Sequence, residues 1–559
     1  MSNQNQSWGI LPTQQDEDNT RAHAVSDPAG YHAGIAGREL HWFDGNTQSW
    51  ISQTDTGEWT GWHDRNASSA HADASWQPWS HPLDDSLAPY YRWFVDGQTN
   101  ACFNLIDRHV LSGRGDQIAI IFEGDRWDPS KNDGRGGPVH EQRVTYRELL
   151  VEVALRTRVL KQADLSCGDR VALNLPNVLE QIFYILACQR LGVIYTPVFG
   201  GFSAKTLSDR IHDAGAKVVI TADGGYRNAE VVPYKSTYTD PALDNYIPRP
   251  AALEALSATL RTRLSSDVAE RLEAQVSEAI AGEITLERAD VMRELGLALE
   301  RERGTAPEVI AELRTTVASE LANVGHAVTH VIVIRYTGND IVEHARDSWS
   351  PDLVAQVETD LLADAGVADR AALYSLDDTA LWQAVGPHAA AVPVEANWPL
   401  FIIYTSGSTG KPKGVVHTHG GWLSGITHTL RTVFNANQDD CLYVIGDPGW
   451  ITGQSYLIAA PLAFGMSTMI AEGSPLFPHA GRFASIIERN NVTIFKAGST
   501  FLKAVMTDPA STQEMSRYDM SSLKVGTFCA EPVSPTVQQF AMDNICSHYI
   551  NSYWATEHG

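Results

Sequence analysis

Short apolar runs alternate with amphipathic stretches from about residue 86 to 248. Val144 to Ala163 has helical apolar spacing, with Thr145 placed to cap its N-terminus. Arg170-Val-Ala-Leu-Asn-Leu175 predicts a buried strand, stopped by Pro176. Leu179 to Leu191 predicts a helix ended by Gly192. Val193 to Val198 and Lys217 to Thr221 predict further short strands. Strands alternating with helices imply an α/β fold with a parallel sheet. The alternation returns after about 326, with strands expected at Val331 to Ile334, Leu400 to Tyr404, Leu442 to Ile445, Thr468 to Ala471, Val492 to Phe495 and Leu523 to Phe528. Val342 to Ala391 reads as mixed and mostly helical.

Two segments break this rhythm. In 249–325 the residues Leu253, Leu256, Leu260, Leu264, Val268, Leu272, Val276 and Ile280 follow helical spacing. Most steps are of four residues, so the apolar stripe advances by ~40° per step and winds around the helix. That predicts an all-helical insert, buried on more than one side, rather than a straight coiled-coil seam. Thr305 and Glu308 read as a capping box opening a further helix, with Pro307 in its first turn. Residues 1–85 are polar but carry Trp8, Trp42, Trp50, Trp59, Trp62, Trp76 and Trp79, separated by Gly, Asp, Ser and Asn. This argues against regular helices there and for an extension anchored on the main body by its indoles. The expected division is therefore 1–85, 86–248, 249–325 and 326–559.

The net charge of -25 over 559 residues argues against a nucleic-acid partner, which needs a basic surface. Anionic ligands would need locally placed Lys, Arg and backbone N–H groups. No apolar run approaches the ~18 residues of a membrane span, and Met1 to Ile10 has no secretory pattern. The six cysteines form no C-x-x-C pair, which fits free thiols in a cytoplasmic protein.

Chemistry concentrates in Tyr404-Thr-Ser-Gly-Ser-Thr-Gly-Lys-Pro-Lys-Gly414, directly after a predicted buried strand. Its glycines allow close approach of backbone to ligand, and its N–H and hydroxyl groups can surround phosphate oxygens. Lys411 and Lys413 add positive charge. It is not a Walker A loop, because Gly407 stands three before Gly410 and Pro412 follows Lys411.

At these residues the chain resembles the adenylate-forming superfamily of acyl-CoA synthetases, luciferases and peptide-synthetase adenylation domains. Tyr91 to Phe94, Thr99-Asn100, Asp107 to His109, Pro197 to Phe202, Gly449 to Gly453, Glu531-Pro532 and Tyr553 to Gly559 narrow the resemblance to AMP-forming acetyl- and propionyl-CoA synthetases. The resemblance implies that family's N-terminal core, with mixed and parallel sheets flanked by helices, and a carboxylic acid activated by ATP to acyl-AMP and then to acyl-CoA. Catalytic roles fall on Thr405, Lys411, Thr556 and Glu557, with Glu557 also holding Mg²⁺. The ATP-binding set is Ser406, Gly407, Ser408, Thr409, Gly410, Ala530, Glu531, Pro532, Asn551, Ser552, Tyr553 and Ala555, with Tyr553 stacking on the base. The acyl pocket is Trp450, Ile451, Thr452, Cys529 and Trp554, the last as a floor restricting substrates to acids of two or three carbons. CoA would meet Phe199, Gly200, Gly201 and Arg227. Two positions depart from the pattern: Glu230 stands where a second arginine is usual, and Phe501 where a small residue is usual.

The family's ribose-binding aspartate, hinge and C-terminal lid have no counterpart before Gly559. Together with the Trp-rich extension and helical insert, this resembles the synthetase portion of fused propionyl-CoA synthases, which activate 3-hydroxypropionate and carry hydratase and reductase domains downstream. A second reading makes the segment a lid-less, inactive scaffold or chamber wall in a larger assembly, with a homo-oligomer among the assemblies it allows. Trp554 disfavours a third, an aryl or amino-acid adenylating enzyme.

Overall fold

The computed structural model describes residues 13–54, 57–63, 67–70, 73, 75–302, 306–405 and 412–559. The loop residues Ser406, Gly407, Ser408, Thr409, Gly410 and Lys411, and also Thr305 and Trp8, lie outside the described residues.

Two seven-stranded sheets form the body. Across the first, the order is Glu141–Thr145, Ile118–Glu123, Ser467–Ala471, Cys441–Val444, Ile494–Gly498, Val525–Cys529 and Tyr549–Asn551. Only its first pair is antiparallel. Across the second, the order is Asp347–Trp349, His330–Ile334, Val218–Ala222, Arg170–Asn174, Ile194–Pro197, Pro399–Thr405 and Lys413–Thr418. Only its last pair is antiparallel. The α/β expectation holds, with strand ends shifted by one to three residues; the strand expected from Val492 starts at Ile494 and runs to Gly498.

One continuous core takes in Ile120 and Phe122 of the first sheet, Val171 and Leu173 of the second, and the helices Tyr146–Gln162 and Leu179–Leu191. Thr145 and Glu148 cap the first helix reciprocally. The second is buried nearly all round, every residue but Glu180 being covered. It ends at Gly192 with φ 68, where a Cβ would lie 2.8 Å from Cys167 Sγ, so glycine is required twice over. Several residues that carry the resemblance are structural ties. Arg190 grips Asp107 in a buried pair at 2.6 and 2.9 Å, and the Trp382 indole donates to the same carboxylate at 2.7 Å. Asn100 donates to the carbonyls of Gln189, Arg190 and Val392.

The N-terminal segment corrects one expectation and bears out another. It contains two helices, Gln14–Ser26 and Pro28–Glu39, followed by a four-stranded antiparallel sheet. The absence of a strong apolar stripe hid the helices: the first buries no residue, and its start is fixed by a reciprocal Thr13–Asp16 cap, while Asp27 and Pro28 start the second. The anchoring is as expected. Trp42 is fully buried and donates to Ala36 O at 2.9 Å, Trp50 stacks on Phe103 at 4.0 Å, and Glu39 pairs with Arg431 at 2.6 and 2.9 Å. The hairpin of His81–Asp84 with Arg92–Val95 runs across the expected boundary at 85.

Residues 249–323 form the helices Arg249–Arg263, Ser266–Ala279, Arg288–Arg301 and Pro307–Asn323 around their own apolar core. The unit is not all-helical: Thr285–Glu287 pairs antiparallel with Tyr246–Pro248, closing the unit where it leaves the body. Ala306 occupies the N-cap of the last helix, without a side-chain cap bond.

Candidate functional site

The strands Pro399–Thr405 and Lys413–Thr418 are antiparallel neighbours in which Thr405 faces Lys413, and the loop expected to hold phosphate lies between them in the sequence. His417 on the second strand donates from Nε2 to the Thr556 carbonyl at 2.8 Å; a carbonyl only accepts, which fixes the tautomer. Burial pulls the His417 pKa down to about 4. A Cβ on Gly559 would lie 2.4 Å from the Trp422 ring, so the chain end also packs on the helix that follows this strand. The turn Thr556–His558 is thereby held beside this strand, with the Ala555 N–H directed at His558 Nδ1. The Glu557 carboxylate is exposed there and has no ion-pair partner among the described residues. An exposed carboxylate without an ion-pair partner fits the hard-oxygen preference of Mg²⁺.

Ala530 follows the strand Val525–Cys529 with φ 78, a conformation that costs a non-glycine residue roughly 1–2 kcal/mol. It turns the chain so that Glu531 reaches Ser499 Oγ at 3.1 Å, Thr500 Oγ1 at 3.3 Å and Lys503 Nζ at 3.4 Å, and these donors lower its pKa. Pro532 continues the loop. Asn551 pairs with Phe528 at the end of the neighbouring strand. Tyr553 is 89% exposed, a ring whose faces are open to a planar partner. Ser552 turns inward: its hydroxyl donates to Phe528 O at 2.8 Å and accepts from Thr527 Oγ1 at 2.8 Å.

The expected acyl-pocket residues divide into two groups. Trp554 packs edge-on against Tyr456 with centroids 5.2 Å apart, and Ile451 belongs to the same apolar core. Thr452 opens the wide helical turn Gly453–Ala459 that carries Tyr456. Cys529 joins this group as an electrostatic neighbour of Lys496, whose ammonium lies 5.6 Å from the Trp554 ring centre. Trp450 stands apart: it is 45% exposed and packs on Phe199 and Phe202 at 5.9 and 5.6 Å.

Trp450 thus sits with the expected CoA residues. A Cβ on Gly449 would lie 2.6 Å from the Phe199 backbone, one on Gly200 2.2 Å from Tyr234 Oη, and one on Gly201 2.4 Å from the Phe199 ring. The close packing of these three segments therefore needs glycine. Arg227 is exposed on a hairpin where Glu230 is its direct cross-strand partner, and its charge acts on Tyr234. Phe501 is buried against Phe483 and Phe495 rather than facing a channel.

Lys496 is the buried charge of this group that sequence reading missed. Its signal is faint: one charge inside the strand Ile494-Phe-Lys-Ala-Gly498. A cavity of about 680 Å³ lies away from this site, between the N-terminal segment and the body. Its Arg431 is already paired with Glu39, and its Arg108 donates to the carbonyls of Glu39 and Ala463.

The sequence pattern of AMP-binding enzymes matches residues 108–292 and 315–559, and that of the acetyl-coenzyme A synthetase N-terminus matches 67–105. The gap in the larger match falls within the four-helix unit. Acetyl-coenzyme A synthetase of Methylobacillus flagellatus is 33% identical over 498 residues, covering 88% of this chain and 58% of the relative. The enzyme of the same name from Herminiimonas arsenicoxydans is 31% identical over 547 residues, covering 96% and 60%. That from Thiobacillus denitrificans is 32% identical over 488 residues, covering 86% and 56%. The chain thus spans about six tenths of the length of these relatives. Among the described residues no helix is long and apolar enough to cross a membrane.

Proposed function

The chain belongs to the AMP-binding enzyme family, and from that premise we propose that it is the nucleotide- and acid-binding part of an AMP-forming acyl-CoA synthetase for acids of two or three carbons. In the proposed reaction an oxygen of the acid attacks the α-phosphorus of ATP, and the bond to pyrophosphate breaks. The CoA sulfur then attacks the carbonyl carbon of acyl-AMP, and AMP leaves. In such chemistry a protein mainly positions the reactants and stabilises charge. The loop from Thr405 to Lys411 would take the β- and γ-phosphates, Thr556 the α-phosphate, and Tyr553 with Ala530, Glu531 and Pro532 the adenine. Asn551, Ser552 and Ala555 would shape the wall between base and acid. Mg²⁺ would neutralise phosphate charge when bound, with Glu557 as its protein ligand. Phe199, Gly200, Gly201 and Arg227 would meet CoA; Trp450, packed on Phe199, belongs with them as much as with the acid.

The observation that carries the size limit is the packing of the Trp554 indole edge-on against Tyr456, with Lys496 beside both rings. Acetate, propionate and 3-hydroxypropionate are the acids this reading admits. The N-terminal module and the four-helix unit support a place within a fused propionyl-CoA synthase carrying hydratase and reductase domains. The test of the nucleotide site is calorimetric titration of ATP with Mg²⁺ into the chain and into its Lys411→Ala and Glu557→Ala variants. Affinity should fall at least tenfold in each variant with melting temperature unchanged; unaltered affinity in both would overturn the assignment. Trp554→Gly should let butyrate and hexanoate bind where the parent chain excludes them.

A further inference from the structure

Among the described residues two lysines are fully buried, and they are served in opposite ways. Lys235 donates to Asp240 at 2.8 and 2.9 Å and to Val342 O at 2.7 Å, and it pairs with Asp347 at 2.9 Å. Lys496 has no carboxylate within ion-pair distance among the described residues. Its ammonium lies 4.8 Å from the Tyr456 ring centre, 5.5 Å from Phe434 and 5.6 Å from Trp554. Ser552 Oγ takes one proton at 2.6 Å, and the Cys529 side chain is the other polar neighbour.

An ammonium has three donors and no acceptor. Thiol sulfur is a weak acceptor, so one full hydrogen bond leaves most of this charge without oxygen partners, a costly state for a buried group. Burial accordingly lowers the Lys496 pKa. The aromatic faces offset part of the cost. Ser552 is already saturated, accepting from Lys496 and Thr527 and donating to Phe528 O, so it has nothing left to offer a ligand. Lys496 is therefore the strong donor remaining at the wall formed by Trp554 and Cys529.

We propose that Lys496 donates a hydrogen bond to an oxygen on the far carbon of the bound acid, and so selects a hydroxylated short acid over the plain one. This rests on the acyl-pocket reading above and deepens it. The far-end oxygen belongs to a neutral hydroxyl rather than to a second carboxylate, because a buried carboxylate needs several donors and Lys496 is the one cation at this wall among the described residues. Propionate would leave the ammonium as short of oxygen as it is in the free protein. A charge-assisted hydrogen bond sets the scale of discrimination at roughly ten- to hundredfold.

The test titrates propionate, 3-hydroxypropionate and malonate into the full chain, with and without ATP and Mg²⁺, for the parent, Lys496→Met and Lys496→Gln. The parent should prefer 3-hydroxypropionate over propionate by that factor. Lys496→Met should lose the preference and melt no lower than the parent, since it exchanges a buried charge for an apolar side chain of similar length. Lys496→Gln, which retains an N–H donor, should keep part of the preference. An unchanged preference in Lys496→Met, or equal affinities for the two acids in the parent, overturns the proposal, and malonate binding tighter than 3-hydroxypropionate overturns the choice of a hydroxyl. If ATP fails to bind while Lys496 still governs acid choice, the adenylating reading falls and the role of Lys496 stands.

Discussion

At the scale of single residues, the chain separates groups that hold the fold from groups free to act. Asp107 and Arg190 are both inaccessible and satisfied within the protein, with Trp382 completing the carboxylate. Removing one member of such a pair strands the other charge in the interior, at about 3–5 kcal/mol. Asp107→Ala should therefore lower the urea midpoint strongly while Glu557→Ala leaves it in place, which equilibrium unfolding of both variants checks; equal midpoints would show that the pair is not a main tie. The contrast also explains what sequence could convey. Glycines, hydroxyls and lysines packed into eleven residues after an apolar strand are the pattern expected of a phosphate loop, because that signal is local in the chain. Lys496 gave no such mark. Its meaning depends on Tyr456, Trp554, Cys529 and Ser552, which reach it from other segments of the chain.

At the scale of elements, the buried strands and their helices were legible because each carries its own stop signal, as with Leu175-Pro176 and Leu191-Gly192. The helices Gln14–Ser26 and Pro28–Glu39 were not, since caps rather than an apolar stripe define them. The four-helix unit was legible by composition, but its ladder with Tyr246–Pro248 was not, three residues being too few to show a period. The unit has a separate core, and Thr285 ties it to the body by donating from N and Oγ1 to Asp209. Leu272 is fully buried in that core. Leu272→Ala should cost about 2–5 kcal/mol, and the loss should stay local because separate cores open separately. Hydrogen exchange should quicken across 249–323 while the strands Arg170–Asn174 and Val525–Cys529 keep their protection. Faster exchange in both places would mean that unit and body unfold together.

At the scale of the whole molecule, the response to acid follows from histidines scattered through every part. His41 and His419 are pulled down to about 3, and His212 and His417 to about 4, in each case chiefly by burial; His109 lies well below its ordinary value for the same reason. An unfolded histidine titrates near ~6.5. The folded values are depressed, so this stability is present above ~6.5 and is lost as pH falls toward the folded values. Each fully buried histidine contributes roughly 2 kcal/mol of destabilisation by pH ~5, because the unfolded chain takes up a proton that the folded one refuses. His109, His417 and His419 are buried outright, while His41 and His212 retain some solvent contact and count for less. The opposing effect is relief of self-repulsion in a chain of net charge -25, but most carboxylates begin to neutralise only below about pH 5. Between pH 7.5 and 5.5 the histidines therefore win. The urea midpoint should fall across that window, and His419→Gln, which keeps an acceptor for the Ala101 N–H that His419 Nδ1 now receives at 3.0 Å, should flatten the fall by about one proton's worth. A midpoint that is level or rising from pH 7.5 to 5.5, or a slope untouched in His419→Gln, would mean that these rings take up protons in the folded state and that the interior around them is wetter than their burial indicates.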